Sequence, residues 1–342
     1  NYQCFSQLQK ALLNSGCYKT GQAYCVDYSP TNQAAFEENS HVLPNSIKGI
    51  KRDWTEKGYA VSKLDIVGHS MGGILSRLYL QSSYYNDDIH KLITLNTPHA
   101  GSQGANILVL LPDVRKLAKL EGNAINDLRV TSFATRTLLN GSSVINKNTV
   151  PSHAIITKTS SFSTALRNNK LGSAIYLAFS LLCPSLSVGS DLIPQLIYNG
   201  ESDLVVAVNS QKGGLGSSTL VDNEWHCGSP DNATVKSYIF RLLLLPSSDN
   251  TFSTQGFSPP TLESGETLTE IVDSLISSVI KRSSVIKRSS VVENNSVFFR
   301  LPTNDMTISS GDSITIEVAR TANVKNLIFM AMESKDSVYI KD

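Results

Sequence analysis

Gly68-His69-Ser70-Met71-Gly72 carries the most specific chemical pattern in this 342-residue chain. It follows the apolar run Leu64-Asp65-Ile66-Val67 and leads directly into Gly73-Ile74-Leu75, where helical spacing begins. A strand that passes through Gly-x-Ser-x-Gly straight into a helix predicts a sharp turn with the serine hydroxyl exposed at its apex, placed to act as a nucleophile. The turn is crowded, so residues two positions away on either side must be small, and Gly68 and Gly72 meet that need. The N-terminus of the following helix adds partial positive charge, and the Met71 N–H can donate to an oxygen on which negative charge develops. The bare pattern is common, and a glycine-rich strand–helix turn without chemistry would look alike. Strand and helix together favour the nucleophile.

A serine hydroxyl is a weak nucleophile until a base takes its proton and a third group orients that base. On such an elbow the partners follow in the chain as acid and then histidine. Of six histidines, His69 lies inside the elbow and points away from the hydroxyl. His41 and His90 precede or flank helices, His153 begins a strand, and His99 comes before any candidate acid. His226, in Glu224-Trp225-His226-Cys227-Gly228 ahead of the last helical pattern, is the candidate base. Asp203, after Gly200-Glu201-Ser202 and opening an apolar run, is the leading acid, with Asp191, Asp222 and Glu201 as rivals.

These residues need a scaffold. Short apolar runs alternate with helical patterns over residues 1–246, which predicts an α/β fold with a mainly parallel sheet. The expected strands are 23–27, 63–67, 91–95, 153–157 and 204–208. Helical faces are formed by residues 5–13, by Ile47, Ile50 and Trp54 after Pro44, by Ile74, Leu75, Leu78 and Tyr79, and by Val235, Ile239, Leu242 and Leu243. Residues 101–200 exceed any ordinary loop and read as an inserted cap, with helices near 114–120 and 173–182 and the strand at 153–157 passing through it. The apolar residues 108–111 and 175–182 either cover an acyl pocket or pack as ordinary helices. A linker is expected over 247–296. It opens on a Ser, Asn, Thr, Gly and Pro stretch, holds a helix capped by Thr267 and Glu270, and ends in Ser-Ser-Val-Ile-Lys-Arg repeated at 277–282 and 283–288. Four short strands over 297–342 resemble part of an all-β, Ig-like sandwich.

Composition narrows the function classes. Thirty basic and 29 acidic residues give a net charge of +1, so nothing attracts the chain to nucleic acid or an acidic membrane surface. With 41% hydrophobic residues a substantial core is assured, and no run is long enough for a transmembrane helix. Five cysteines without a Cys-x-x-Cys pair make zinc or iron–sulfur binding improbable, and no metal or cofactor is required. Low charge and abundant serine lean towards a secreted or cell-surface protein.

Further motifs carry a resemblance. Lys91-Leu92-Ile93-Thr94-Leu95-Asn96-Thr97-Pro98-His99-Ala100-Gly101-Ser102, Asp127-Leu128-Arg129, Ser152-His153-Ala154-Ile155 and Ser202 through Ser210 are similar to the α/β-hydrolase serine lipases and esterases. The similar branch is the bacterial one related to GPI inositol-deacylases and triacylglycerol lipases. It covers about residues 5–245. The family pattern has Gly-Val-Val-Pro after the acid, where this chain has Leu204 and Ala207. The resemblance implies carboxylic-ester hydrolysis through an acyl-enzyme, with an ester or lipid as substrate. The family's His-Gly strand and loop, which supplies a second oxyanion amide, would precede the first helix. Its place in mid-sheet lies between the strand at 23–27 and the elbow strand, so the expectation is a fragment shortened at both ends. Amide hydrolysis or acyl transfer with the same triad stays open, as does a non-catalytic binding module. The C-terminal β module would offer a surface or carbohydrate contact.

Overall fold

In the computed structural model, residues 5–141, 150–160, 169–182, 197–198, 200–262, 329–332 and 338–341 are described. The chain divides into two compact units, Asn1–Thr269 and Glu270–Asp342.

The first unit opens with α1 (Ser6–Asn14), whose Leu8 and Leu12 lie one turn apart and are both buried. A single turn, α2 (Phe36–Asn39), precedes α3 (Val42–Glu56), which buries Leu43 and Ile47. Pro44 sits within its first turn, where its missing N–H costs nothing. Then come β1 (Leu64–His69), α4 (Met71–Leu80) and β2 (Ile89–Leu95). Between β2 and the next strand lie α5 (Gln103–Leu110), α6 (Pro112–Leu117), α7 (Asn123–Asp127) and a π-helical turn at Ala134–Leu139. Next are β3 (Ser152–Lys158), α8 (Lys170–Leu182), α9 (Val208–Lys212), β4 (Ser218–Asp222) and α10 (Ala233–Leu244).

The four strands form one parallel sheet in the order β1-β2-β3-β4. Parallel sheets are buried on both faces, and the alternation of β2 and β3 shows how. Leu92, Ala154 and Ile156 face the side covered by α3 and α4, packing with Leu43, Ile47, Tyr79 and Leu80. Ile93, Leu95 and Ile155 face the opposite side, against Leu8 and Leu12 of α1 and Val235, Ile239 and Leu242 of α10. The result is a three-layer α/β/α unit.

Several expectations are corrected. Residues 23–27 form no strand: Gln9 Nε2 donates to the Ala23 carbonyl at 2.8 Å, and among the described residues no strand pairs with the outer edge of β1. Residues 204–208 also form no strand. Asp203 Oδ1 accepts the N–H groups of Val205 (3.0 Å) and Val206 (2.7 Å), which curls the backbone, and Leu204 has φ +71°. The side-chain amide of Gln211 occupies the place of a strand neighbour, accepting from Thr157 N and donating to Thr157 O, each at 3.0 Å. The sheet's fourth strand is β4 instead. Part of the expected linker belongs to the first unit: Ser253 exchanges two backbone bonds with Ser152, Phe252 is buried against the sheet, and Phe257 stacks on His99 at 4.6 Å. His90 lies inside β2 rather than beside a helix.

In the second unit, β5 (Phe329–Met332) pairs antiparallel with β6 (Val338–Lys341). The helix opened by Thr267, the 277–288 duplication and the strands expected at 297–301 and 313–318 lie outside the described residues. So does nearly all of the module expected to offer a carbohydrate contact.

Two buried cations tie these layers together. Arg77 of α4 donates to Gln81 Oε1, His99 Nδ1, the His99 and Leu139 carbonyls and Asn140 Oδ1, and lies over the Phe257 ring at 4.6 Å. It thereby joins α4 to the turn at Leu139 and Asn140 and to the segment after α10. Lys91 of β2 donates to the carbonyls of Leu242 (3.3 Å), Leu243 (2.7 Å) and Leu245 (2.8 Å), covering the end of α10 where helix carbonyls lack partners. Lys91→Met should therefore leave those carbonyls unsatisfied and lower the stability of the first unit by about 1–3 kcal/mol. Urea unfolding followed by fluorescence reads this directly, since both tryptophans, Trp54 and Trp225, lie in that unit. An unchanged midpoint would show that water serves the helix end equally well.

Candidate active site

Ser70 joins β1 to α4 with φ +52° and ψ −126°, a conformation that costs a non-glycine residue about 1–3 kcal/mol. Close packing holds it there. A Cβ on Gly68 would lie 2.7 Å from the Gly73 Cα, and a Cβ on Gly73 would lie 2.0 Å from Thr97 Oγ1. The first turn of α4 thus rests directly on β1 and on the loop after β2. Gly72 is different. A Cβ there would meet only the Tyr28 hydroxyl, at 3.8 Å. The expectation that Gly68 and Gly72 are the two positions needing glycine is therefore corrected to Gly68 and Gly73. Met71 is the first residue of α4, so its N–H is among those without a partner inside the helix.

The structure brings Ser70, His226 and Asp203 together. His226 Nε2 is 2.8 Å from Ser70 Oγ, and His226 Nδ1 is 2.7 Å from Asp203 Oδ2. The carboxylate accepts, so Nδ1 carries the hydrogen and Nε2 presents its lone pair to the Ser70 hydroxyl. Asp203 is fully buried, and its other oxygen takes the two N–H groups of Val205 and Val206. Its main chain also serves the base, since the His226 N–H donates to the Asp203 carbonyl at 3.2 Å. Leu204 occupies the left-handed position where the family pattern has glycine, and its carbonyl accepts from the buried Tyr198 hydroxyl.

The rivals among the described residues are engaged elsewhere. Lys158 pairs with Glu201 at 2.5 Å and with Asp222 at 3.3 Å, while the carboxylate on His226 is that of Asp203. Asp191 lies outside the described residues. His90 pairs with Asp65 at 2.8 Å, and His41 is the N-cap residue of α3. His153 bonds the Thr251 carbonyl and Thr219 Oγ1, and burial pushes it below the usual histidine range. His99 accepts from Arg77 on Nδ1. Burial, then the neighbouring guanidinium, holds it neutral, well below that range.

Two hollows, of about 330 and 430 Å³, lie beside β4 and α10 among residues such as Thr219, Tyr238 and Arg241. No residue of the Ser70 constellation lines either. Of the apolar residues at 108–111 and 175–182, Leu108, Ile175 and Phe179 are buried and Leu110 is exposed. Among the described residues no group of three His, Cys, Asp or Glu is placed to hold a metal, and no helix is long and apolar enough to cross a membrane.

Sequence reasoning missed Gly73, although it stands in the same glycine pair, because the crowding comes from Thr97, a residue distant in the chain. It also missed Gln211 and Tyr198, for which no local pattern exists. Gly73→Ala should abolish folding of the elbow, while Gly72→Ala keeps the native circular dichroism spectrum and thermal midpoint to within a few degrees. Equal tolerance of the two alanines would contradict the packing described for the elbow.

Residues 23–168 match the family model of the PGAP1-like alpha/beta domain. No curated protein sequence matches the chain significantly. Among solved structures it is similar to the lipase BlEst2 of Bacillus licheniformis in mature form, at 20% identity and a TM-score of 0.42, over 62% of this chain and 75% of that one. Phospholipase PlaB of Legionella pneumophila is similar at 14% identity and a TM-score of 0.49, over 85% of this chain and 64% of PlaB. EstA of Clostridium botulinum is similar at 14% identity and a TM-score of 0.35, over 57% of this chain and 65% of EstA. Residues 23–168 are thus similar to the PGAP1-like alpha/beta domain, and the parallel sheet with flanking helices and the strand–elbow–helix turn at Ser70 give the first unit an α/β-hydrolase fold.

Proposed function

We propose that the first unit hydrolyses carboxylic esters, of lipids or other acyl groups, with Ser70 as nucleophile, His226 as base and Asp203 as its orienting acid. The observation that carries this reading is the unbroken path from Ser70 Oγ through the imidazole to a buried carboxylate, with steps of 2.8 and 2.7 Å. In the proposed reaction Ser70 Oγ attacks the ester carbonyl as His226 Nε2 takes its proton. The imidazolium formed is stabilised by Asp203, and the developing oxyanion accepts from the Met71 N–H at the positive end of α4. His226 then gives the proton to the leaving alkoxide, which departs as the alcohol and leaves an acyl-serine. A water, deprotonated by the same imidazole, releases the acid and restores the serine. No cofactor enters this scheme. A secreted or cell-surface setting belongs to the same proposal, motivated by the low charge.

A panel of p-nitrophenyl esters tests it. Ser70→Ala should lower kcat about 10⁶-fold, as removal of a triad serine does. Asp203→Asn should lose about 10³–10⁴-fold by misplacing the imidazole tautomer, while Asp222→Asn stays within about twofold of the parent. Substantial turnover by pure Ser70→Ala would remove Ser70 from the role, and an equal loss at Asp222 would move the acid.

A further inference from the structure

His69 precedes the nucleophile in the chain, and its ring lies against the candidate base. The His69 and His226 ring centroids are 5.1 Å apart, and His69 Nε2 is 3.0 Å from the His226 carbonyl oxygen. A carbonyl oxygen can only accept, so His69 Nε2 carries the hydrogen and donates. The same carbonyl accepts from Ser229 Oγ at 2.9 Å, and Ser229 Oγ accepts from the buried Asn96 Nδ2 at 3.1 Å. With the His226 N–H on the Asp203 carbonyl, the base's main chain is held on both sides.

We propose that His69 is a positioning residue whose Nε2–H fixes the main chain of His226 and so sets the distance from its ring to Ser70 Oγ. The inference rests on the serine-hydrolase reading above. His226 lies in an irregular stretch between β4 and α10, outside any helix or strand. A bond from the residue beside Ser70 to the peptide of His226 closes a short ring of atoms through both groups. Their separation then no longer depends on the stiffness of the loop alone. Loss of hydration, followed by the neighbouring His226, holds His69 far below the usual histidine range. It therefore stays a neutral donor while His226 takes up the serine proton, and no second positive charge opposes the imidazolium.

Two variants of the full chain test this with p-nitrophenyl butyrate. His69→Phe keeps a flat ring without a donor, and His69→Gln keeps a donor. Since a misplacement of about 1 Å costs on the order of 10²-fold, His69→Phe should lower kcat about 10–100-fold with KM within about twofold. His69→Gln should recover most of that loss. Parent-like kcat in His69→Phe, or equal loss in both variants, overturns the proposal. Such a result leaves the serine-hydrolase reading standing so long as Ser70→Ala is inert, whereas an active Ser70→Ala removes both. Should His69→Phe fail to fold, His69→Asn, whose shorter side chain cannot reach the His226 carbonyl, takes its place: it should lower kcat about 10–100-fold with KM within about twofold, and a parent-like kcat there overturns the proposal.

Discussion

The left-handed backbone of Ser70 is the constraint from which the rest of the first unit follows. Reversing the chain within one residue between β1 and α4 requires the helix to start almost in contact with the strand it leaves. Gly68 and Gly73 make that approach sterically feasible, and Thr97 closes over it from the loop after β2. The conformational cost of about 1–3 kcal/mol is offset by the packing of α4, whose Ile74, Leu75, Tyr79 and Leu80 are all buried. A serine held this way has its hydroxyl at the carboxyl end of the sheet, the end where open α/β sheets place their ligands.

Around that point the sheet is completed by side chains as much as by strands. Past the last residue of β2, the backbone of Thr157 is met by the amide of Gln211, which also donates to the Val206 carbonyl at 2.9 Å. Val206 in turn donates to Asp203, so the fixed end of β3 is linked through one glutamine to the turn that carries the acid. Arg77 has a comparable role on the other flank, with its charge spread over neutral acceptors rather than met by a carboxylate. Buried polar groups of this kind are costly unless fully partnered, and here they fix the placement of irregular segments that have no ladder bonds of their own.

The legible part of the fold was the part governed by local period. β1, β2, β3, α4 and α10 follow from alternating or helical spacing, and the elbow follows from glycine chemistry between two such elements. Residues 204–208 were misread because a continuous apolar run also arises when a loop is buried on all sides. What decides against a strand is the Asp203 carboxylate drawing in the next two N–H groups. Residues 246–260 have the composition of a linker, yet Phe252 and Phe257 anchor them in two separate clusters. The strand β4 was missed because its Ser218 and Thr219 carry little hydrophobic signal, and its register against β3 is set by the sheet. Of the candidate site, Ser70, His226 and Asp203 were readable from type and chain order. The carbonyl clamp on His226 was not, since it depends on which atoms the folded loop turns inward.

The most direct test of this account is covalent. A fluorophosphonate probe reacts with a serine only when base and oxyanion donor are both in place, so the intact, folded chain should take up one equivalent. Peptide mapping should locate that adduct on Ser70, with no adduct on other serines. A folded chain that takes up no probe, or takes it up at another serine, would contradict the assignment of the Ser70, His226 and Asp203 arrangement as a working nucleophile.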